Sequence, residues 1–267
     1  MRLTLSRNEL LLALAAGALL LVAVFAPAVA QPLHYQDFAD QRTLWGLPHA
    51  LDVLSNVPFA LVGLLGLRAL RRLPAGEVSN AQRACARLFF AGLLVVAVGS
   101  SWYHFQPNDF GLAIDRASMS IAFAGLLGLL VAGVVSDRAG TVTAGALLVL
   151  GLASVLAWYE TANVLPWAVV QFGGMPLLVL AALTRPRAGA LVVRWSLVLL
   201  AYALAKLFES NDLLVYTASG ELLSGHSLKH VVAALAAWPV LHALAVRARG
   251  QNVSQVEFAP LVPARRA

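Results

Sequence analysis

The sequence predicts an all-α, polytopic transmembrane helical bundle: a seven-helix core with one extra N-terminal helix or signal peptide. Three observations carry this. Of the 267 residues, 60% are hydrophobic and 12% charged, and mean hydropathy is +0.78; too little polar surface exists to cover a domain in water. Apolar stretches fall at 9–30, 53–70, 84–103, 111–135, 141–158, 164–184, 190–208 and 226–246, each close to the roughly 20 residues a helix needs to cross about 30 Å of hydrocarbon. Runs such as Ala144 to Leu156 are nearly unbroken apolar sequence, which excludes the alternating pattern of a membrane barrel.

The elements follow in order. Residues 1–30 form a transmembrane helix or a signal segment, because the basic start, the apolar run and Ala28-Val29-Ala30 before Gln31 fit both. Either way Gln31 lies on the outer side, and 31–49 is an outer loop. Residues 50–247 form the seven-helix membrane domain, and 248–267 a cytoplasmic tail. Pro107-Asn108-Asp109 is a tight turn that makes the third and fourth spans an antiparallel hairpin. The single Cys85 excludes an internal disulfide and reads as a packing residue.

The net charge of +6 concerns topology rather than nucleic acid. With alternating spans, 15 of the 19 Lys and Arg residues fall on one side, leaving Arg42 and Arg116 near the other surface and Lys206 and Lys229 inside spans. By the positive-inside bias that side is the cytoplasm, which places both termini there if the first helix is retained. The outer side collects acids, among them Asp37, Asp40, Asp52, Asp115, Glu209 and Asp212, and five of the six histidines, all but His242. The bilayer is the implied environment, and a membrane lipid the implied substrate.

Histidine and charge are costly in hydrocarbon, so their placement marks function by default. His226 and His230 are four apart in the last span and share a helix face; Ser100 and His104 do the same in the third, and the hairpin returns Asp115 to a similar depth. Three neutral imidazoles with one open position make the ligand set of a catalytic Zn2+ site. Asp115 suits proton transfer from water, and the Ser100 hydroxyl suits stabilisation of an oxyanion. Haem ligation fits poorly, since haem takes one His from each of two helices.

S-x-x-x-H at Ser100–His104, Asp115 eleven residues later and H-x-x-x-H at His226–His230 together resemble the alkaline ceramidase family. That family belongs to a wider superfamily of seven-helix membrane hydrolases and progestin–adiponectin-like receptors, and the likeness covers about residues 50–246. The resemblance implies zinc ligands His104, His226 and His230, a water-activating Asp115, a supporting Ser100, and hydrolysis of the amide of ceramide or a ceramide-like N-acyl lipid. It leaves open another lipid amide or ester, or a receptor with structural zinc. Ser55-Asn56 also resembles a recurrent family element. The family's Ca2+-binding stretch reads here Asp37-Phe38-Ala39-Asp40-Gln41-Arg42, so Asp37, Asp40 and Asp52 offer oxygen ligands, with Arg42 opposing them.

Structural roles compete for several residues. Asp115 is also placed to pair with Arg116 or to cap its helix, and Ser100 to pack, with Ser101 as alternative. Ser55 and Asn56 read as helix-packing residues, Lys206 with Glu209 and Asp212 as an ion pair and loop anchors, and Lys229 as a snorkelling residue facing away from the histidines. Trp45, Trp102, Tyr103, Trp158, Tyr159 and Tyr216 read as an interfacial belt.

Overall fold

A computed structural model describes residues 5–249. Most of the expected tail, with Arg265 and Arg266, and also Arg2, lie outside the described residues. Those described form helices α1 (Arg7–Phe25), α2 (Ala50–Leu54), α3 (Val57–Arg72), α4 (Asn80–Phe105), α5 (Asp109–Val134), α6 (Asp137–Thr161), α7 (Leu165–Gly173), α8 (Met175–Leu183), α9 (Trp195–Ser210), α10 (Asp212–Ala218), α11 (Gly225–Leu235) and α12 (Trp238–Ala248). No strand occurs among them, only isolated bridges at Ala30–Asn163 and Leu44–Leu47. The fold is the expected all-α membrane bundle, and among the described residues seven helices or helix pairs are long and apolar enough to cross a bilayer.

Three spans are broken for one physical reason. Pro58, Pro176 and Pro239 lie in the first turn of α3, α8 and α12; each lacks the N–H that would continue the preceding helix. The span expected at 190–208 is corrected: the helix there is α9, 16 residues, or roughly 24 Å at helical rise, so it is shorter than the other spans. Its start is displaced because the chain before it is extended, with the Leu191 N–H donating to buried Gln82 Oε1 at 2.7 Å.

Small residues set the closest helix contacts. A Cβ at Gly125 of α5 would stand 2.2 Å from the Phe89 nitrogen of α4, and one at Gly92 would stand 2.6 Å from the Ala122 nitrogen. The two backbones approach as only glycine permits, and this hairpin brings Ser100 and Asp115 to one end of the bundle. Gly225 plays the same part between α11 and α9, where a Cβ would meet the Phe208 carbonyl at 2.3 Å. α3 packs on α4, α4 on α5, and α5 on α6, while α11 and α12 pack on α3 and α9. Cys85 is buried and free, as expected of a packing residue.

Helix α1 stands outside this core and rests against α7. A capping box joins Ser6 to Glu9. Glu9 also accepts from Ser136 at 2.6 Å and pairs with Arg138 at 2.6 Å. At its other end Val29 accepts from the Val164 N–H at 2.8 Å.

Candidate metal centre

The α2–α3 break builds one side of the site. Asn56 N–H bonds to the Val53 carbonyl instead of that of Asp52, so the Asp52 carbonyl is left for side chains. Ser55 Oγ and Asn56 Nδ2 both donate to it at 2.9 Å. With its hydrogen so committed, Ser55 Oγ accepts from His230 Nδ1–H at 2.8 Å, and the His230 Nε2 lone pair is left free for a ligand. Ser55 therefore positions a histidine, where the sequence suggested only packing.

Asp52 anchors the neighbouring helix as well. It is fully buried, and its Oδ1 accepts from Ser227 at 2.5 Å and from Ser224, the N-cap of α11, at 3.0 Å. Asp212 holds the same helix start: Oδ1 accepts from the His226 N–H at 2.7 Å and Oδ2 from Ala39 N–H of the outer loop at 2.9 Å. The expected anchoring role of Asp212 is observed. These bonds orient the first turns of α11, from which His226 and His230 face α4.

His104, at the end of α4, meets them. Each of the three is buried, and one ligand nitrogen from each lies within 4.8 Å of the others; His104 Nε2 and His226 Nε2 are 3.3 Å apart. Two nitrogens bound at about 2.0–2.1 Å to a tetrahedral zinc stand about 3.3–3.4 Å from one another. The donor set, the burial and the His104–His226 spacing fit such an ion, and this is the only group of three His, Cys, Asp or Glu with metal-holding geometry among the described residues.

A cavity of about 150 Å³ opens beside the cluster. His230, Ser100 and Asp115 line it, and the Ser100 hydroxyl interacts with the Asp115 carboxylate. The competing roles for Asp115 are not the ones observed. Asn108, not Asp115, caps α5, and Arg116 turns away to lie 4.2 Å over the Trp158 ring and donate to Gln31 Oε1 at 2.8 Å. Ser101 donates to the Val53 carbonyl at 3.2 Å and is absent from the cavity lining, so Ser100 is the serine of the site.

Several expectations are corrected. Lys229 does not face away from the histidines: it lines the cavity and its Nζ donates to Glu209 Oε1 at 2.8 Å. Three positions on from His226, it is only about 60° round the helix, and α9 supplies a carboxylate to hold it. The Lys206–Glu209 ion pair is present and joins the same group. Tyr103, Trp158 and Tyr216 are buried, not interfacial, whereas Trp45, Trp102 and Tyr159 are exposed. Arg116, expected near the surface, is buried beneath aromatic rings.

The three acids named for calcium do not converge. Asp37 is bonded to His34 at 2.8 Å, Asp40 pairs with Arg42 at 2.6 Å, and Asp52 serves the α11 serines. Burial disfavours the charged form of Asp40, but the bonds and charge of Arg42 outweigh it and hold the carboxyl below its usual range. Phe38, from the same loop, covers the histidines on the loop side, its ring centroid 4.5 Å from that of His226 and 4.8 Å from that of His104.

Comparison of the chain with protein-family models, with curated proteins and with solved structures finds no match.

Proposed function

We propose that this protein is an integral-membrane, zinc-dependent hydrolase that cleaves the amide of ceramide or a ceramide-like N-acyl lipid, giving a fatty acid and an amine. The observation that supports it best is that His230 of the buried three-histidine cluster shares one largely apolar cavity with Asp115 and Ser100. Zinc held by His104, His226 and His230 would supply Lewis-acid polarisation of a carbonyl and acidification of a water. Asp115 accepts the proton of the water whose oxygen attacks the carbonyl carbon, and returns it to the amine nitrogen as the C–N bond breaks. The Ser100 hydroxyl donates to the oxygen on which negative charge develops. Apolar walls from α4, α5 and α8, including Phe89, Leu126 and Leu178, hold the acyl chain. The choice of an amide and of ceramide rests on the resemblance of the Ser100, His104, Asp115, His226 and His230 pattern to alkaline ceramidases.

The orientation follows from charge. Arg68, Arg83, Arg138 and Arg247 near helix ends, and Arg187 in the α8–α9 connection, lie opposite the histidines, so the positive-inside bias favours the site toward the outer face and the described chain ends toward the cytoplasm.

Elemental analysis of the purified full chain, combined with a hydrolysis screen over ceramides, N-acyl amines and lipid esters, tests the reading. About one zinc per chain and amide cleavage are expected. Zinc without hydrolysis would favour the receptor-like alternative, and a chain that holds no zinc would overturn both.

A further inference from the structure

The polar end of the cavity contains more than the hydrolytic groups. Lys206 and Glu209 of α9 and Lys229 of α11 line it with Ser100, Asp115 and His230. Both oxygens of Glu209 are taken, Oε1 by Lys229 and Oε2 by Lys206. An ammonium carries three donors, and each lysine bonds one Glu209 oxygen, so both keep donors in reserve beside an apolar chamber. Two cations share one anion there. Asp115 lines the same chamber and its charge acts on Lys229, but it forms a direct ion pair with neither lysine.

A second cation in an apolar cavity is costly unless something of opposite charge accompanies it. Of the side chains that remain in the lining only Gln171 and Tyr202 are polar, and Tyr202 directs its hydroxyl to the Gln171 backbone carbonyl. The spare lysine donors are therefore open to an acceptor that arrives with the ligand. A carboxylate offers two oxygens and about four lone-pair sites, a hydroxyl far fewer and no charge.

We propose that Lys206 and Lys229 form a subsite for a carboxylate on the amine side of the substrate, which makes the preferred lipid an N-acyl amino acid rather than a neutral-headed amide. The acyl chain lies along the apolar wall, the amide carbonyl faces His230 and Ser100, and the acidic head reaches the lysines. This rests on the hydrolase reading only for the direction in which the amide lies; the lysine pair recognises the acid whether or not the bond is cut. Glu209 sets the strength of the subsite by competing for the same donors.

Binding to the full chain in detergent micelles tests it, using ketone isosteres of N-oleoylglycine and N-oleoylethanolamine in which CH2 replaces the amide nitrogen, so that neither ligand is hydrolysed. The acid is expected to bind at least about 10-fold more tightly than the alcohol, the scale of one hydrogen bond to a charged group. Lys206→Met and Lys229→Met should each abolish most of that preference. Glu209→Gln should increase it, an opposite sign that general damage to the fold does not produce. Lys206 lies on a different helix from every histidine, so its variant keeps the test clear of the metal cluster. Equal affinity for the two isosteres in the wild-type protein, or an undiminished preference in both lysine variants, overturns the subsite. A preference for the acid without hydrolysis of any amide would reject the hydrolase reading and leave the subsite standing.

Discussion

Ser55 Oγ stands 2.8 Å from His230 Nδ1 while donating its own hydrogen to the Asp52 carbonyl 2.9 Å away. The pair links a proline-induced helix break to the tautomer of an imidazole in the candidate metal centre. Partners of this kind hold ring orientation and raise ligand basicity.

Removing the hydroxyl should therefore weaken metal binding without emptying the fold. Ser55→Ala is expected to lower zinc affinity about 10- to 100-fold, read by competition with a chromophoric chelator. Ser55→Thr, which keeps the hydroxyl, should stay close to wild type, and equal loss in both variants would mean that packing, not the hydrogen bond, is what matters.

Ligands and helpers separate in a second pair of measurements. The His226→Ala/His230→Ala double variant should retain no stoichiometric zinc in elemental analysis. Asp115→Asn keeps the side chain's size but removes the basic carboxylate, so zinc should persist while amide turnover falls roughly 10²- to 10⁴-fold. Wild-type turnover by Asp115→Asn would reject the proposed proton transfer.

The α4–α5 contact gives a packing prediction. At Gly125 an added Cβ meets backbone 2.2 Å away, which no side-chain rotation relieves. Gly125→Ala should destabilise the protein by about 1–3 kcal/mol, visible as a lower melting temperature in detergent. Gly145, whose added Cβ meets nothing within 4 Å, is the control, and Gly145→Ala should melt as wild type or slightly higher.

Acid stability should carry the signature of Asp40. Its carboxyl lies below the usual range in the folded protein, so its contribution is complete above the unfolded value, about 4, and is lost as pH falls through the lower folded value. The melting-temperature gap between wild type and Asp40→Asn should accordingly be widest near neutrality and close progressively below about pH 4. A gap that stays constant into strong acid would show that the Asp40–Arg42 pair is not its source.

Much of the candidate site was legible because its histidines obey helical spacing. His226 and His230 are one turn apart, and a short turn fixes the depth of Asp115 against His104. The bundle and its apolar spans follow from hydropathy in the same way. Ser55 and Lys229 were misread because their roles depend on contacts made across the bundle. Ser55 acts on a residue 175 positions away through a carbonyl that the Pro58 break made available. Lys229 is drawn inward by Glu209 on another helix. The buried Tyr103 and Trp158 have aromatic character suited to a lipid interface, but the outer loop places Phe38 against the first, and Arg116 covers the second. No local pattern announces either cover. The 190–208 span began late for a similar reason: Gln82, far away in sequence, captures the backbone of Leu191.

Phe38 gives the site a direction of traffic. With its ring tilted against two of the three imidazoles, it acts as a stopper on the loop side, while the space that reaches His230 is walled largely by apolar side chains of the helices. A water-soluble chelator approaching from outside meets the stopper first, and a lipid already dissolved in the membrane does not. On the proposed reading, exchange of a metal and arrival of a lipid would use different doors, and loosening the loop before α2 should speed the first without opening the second.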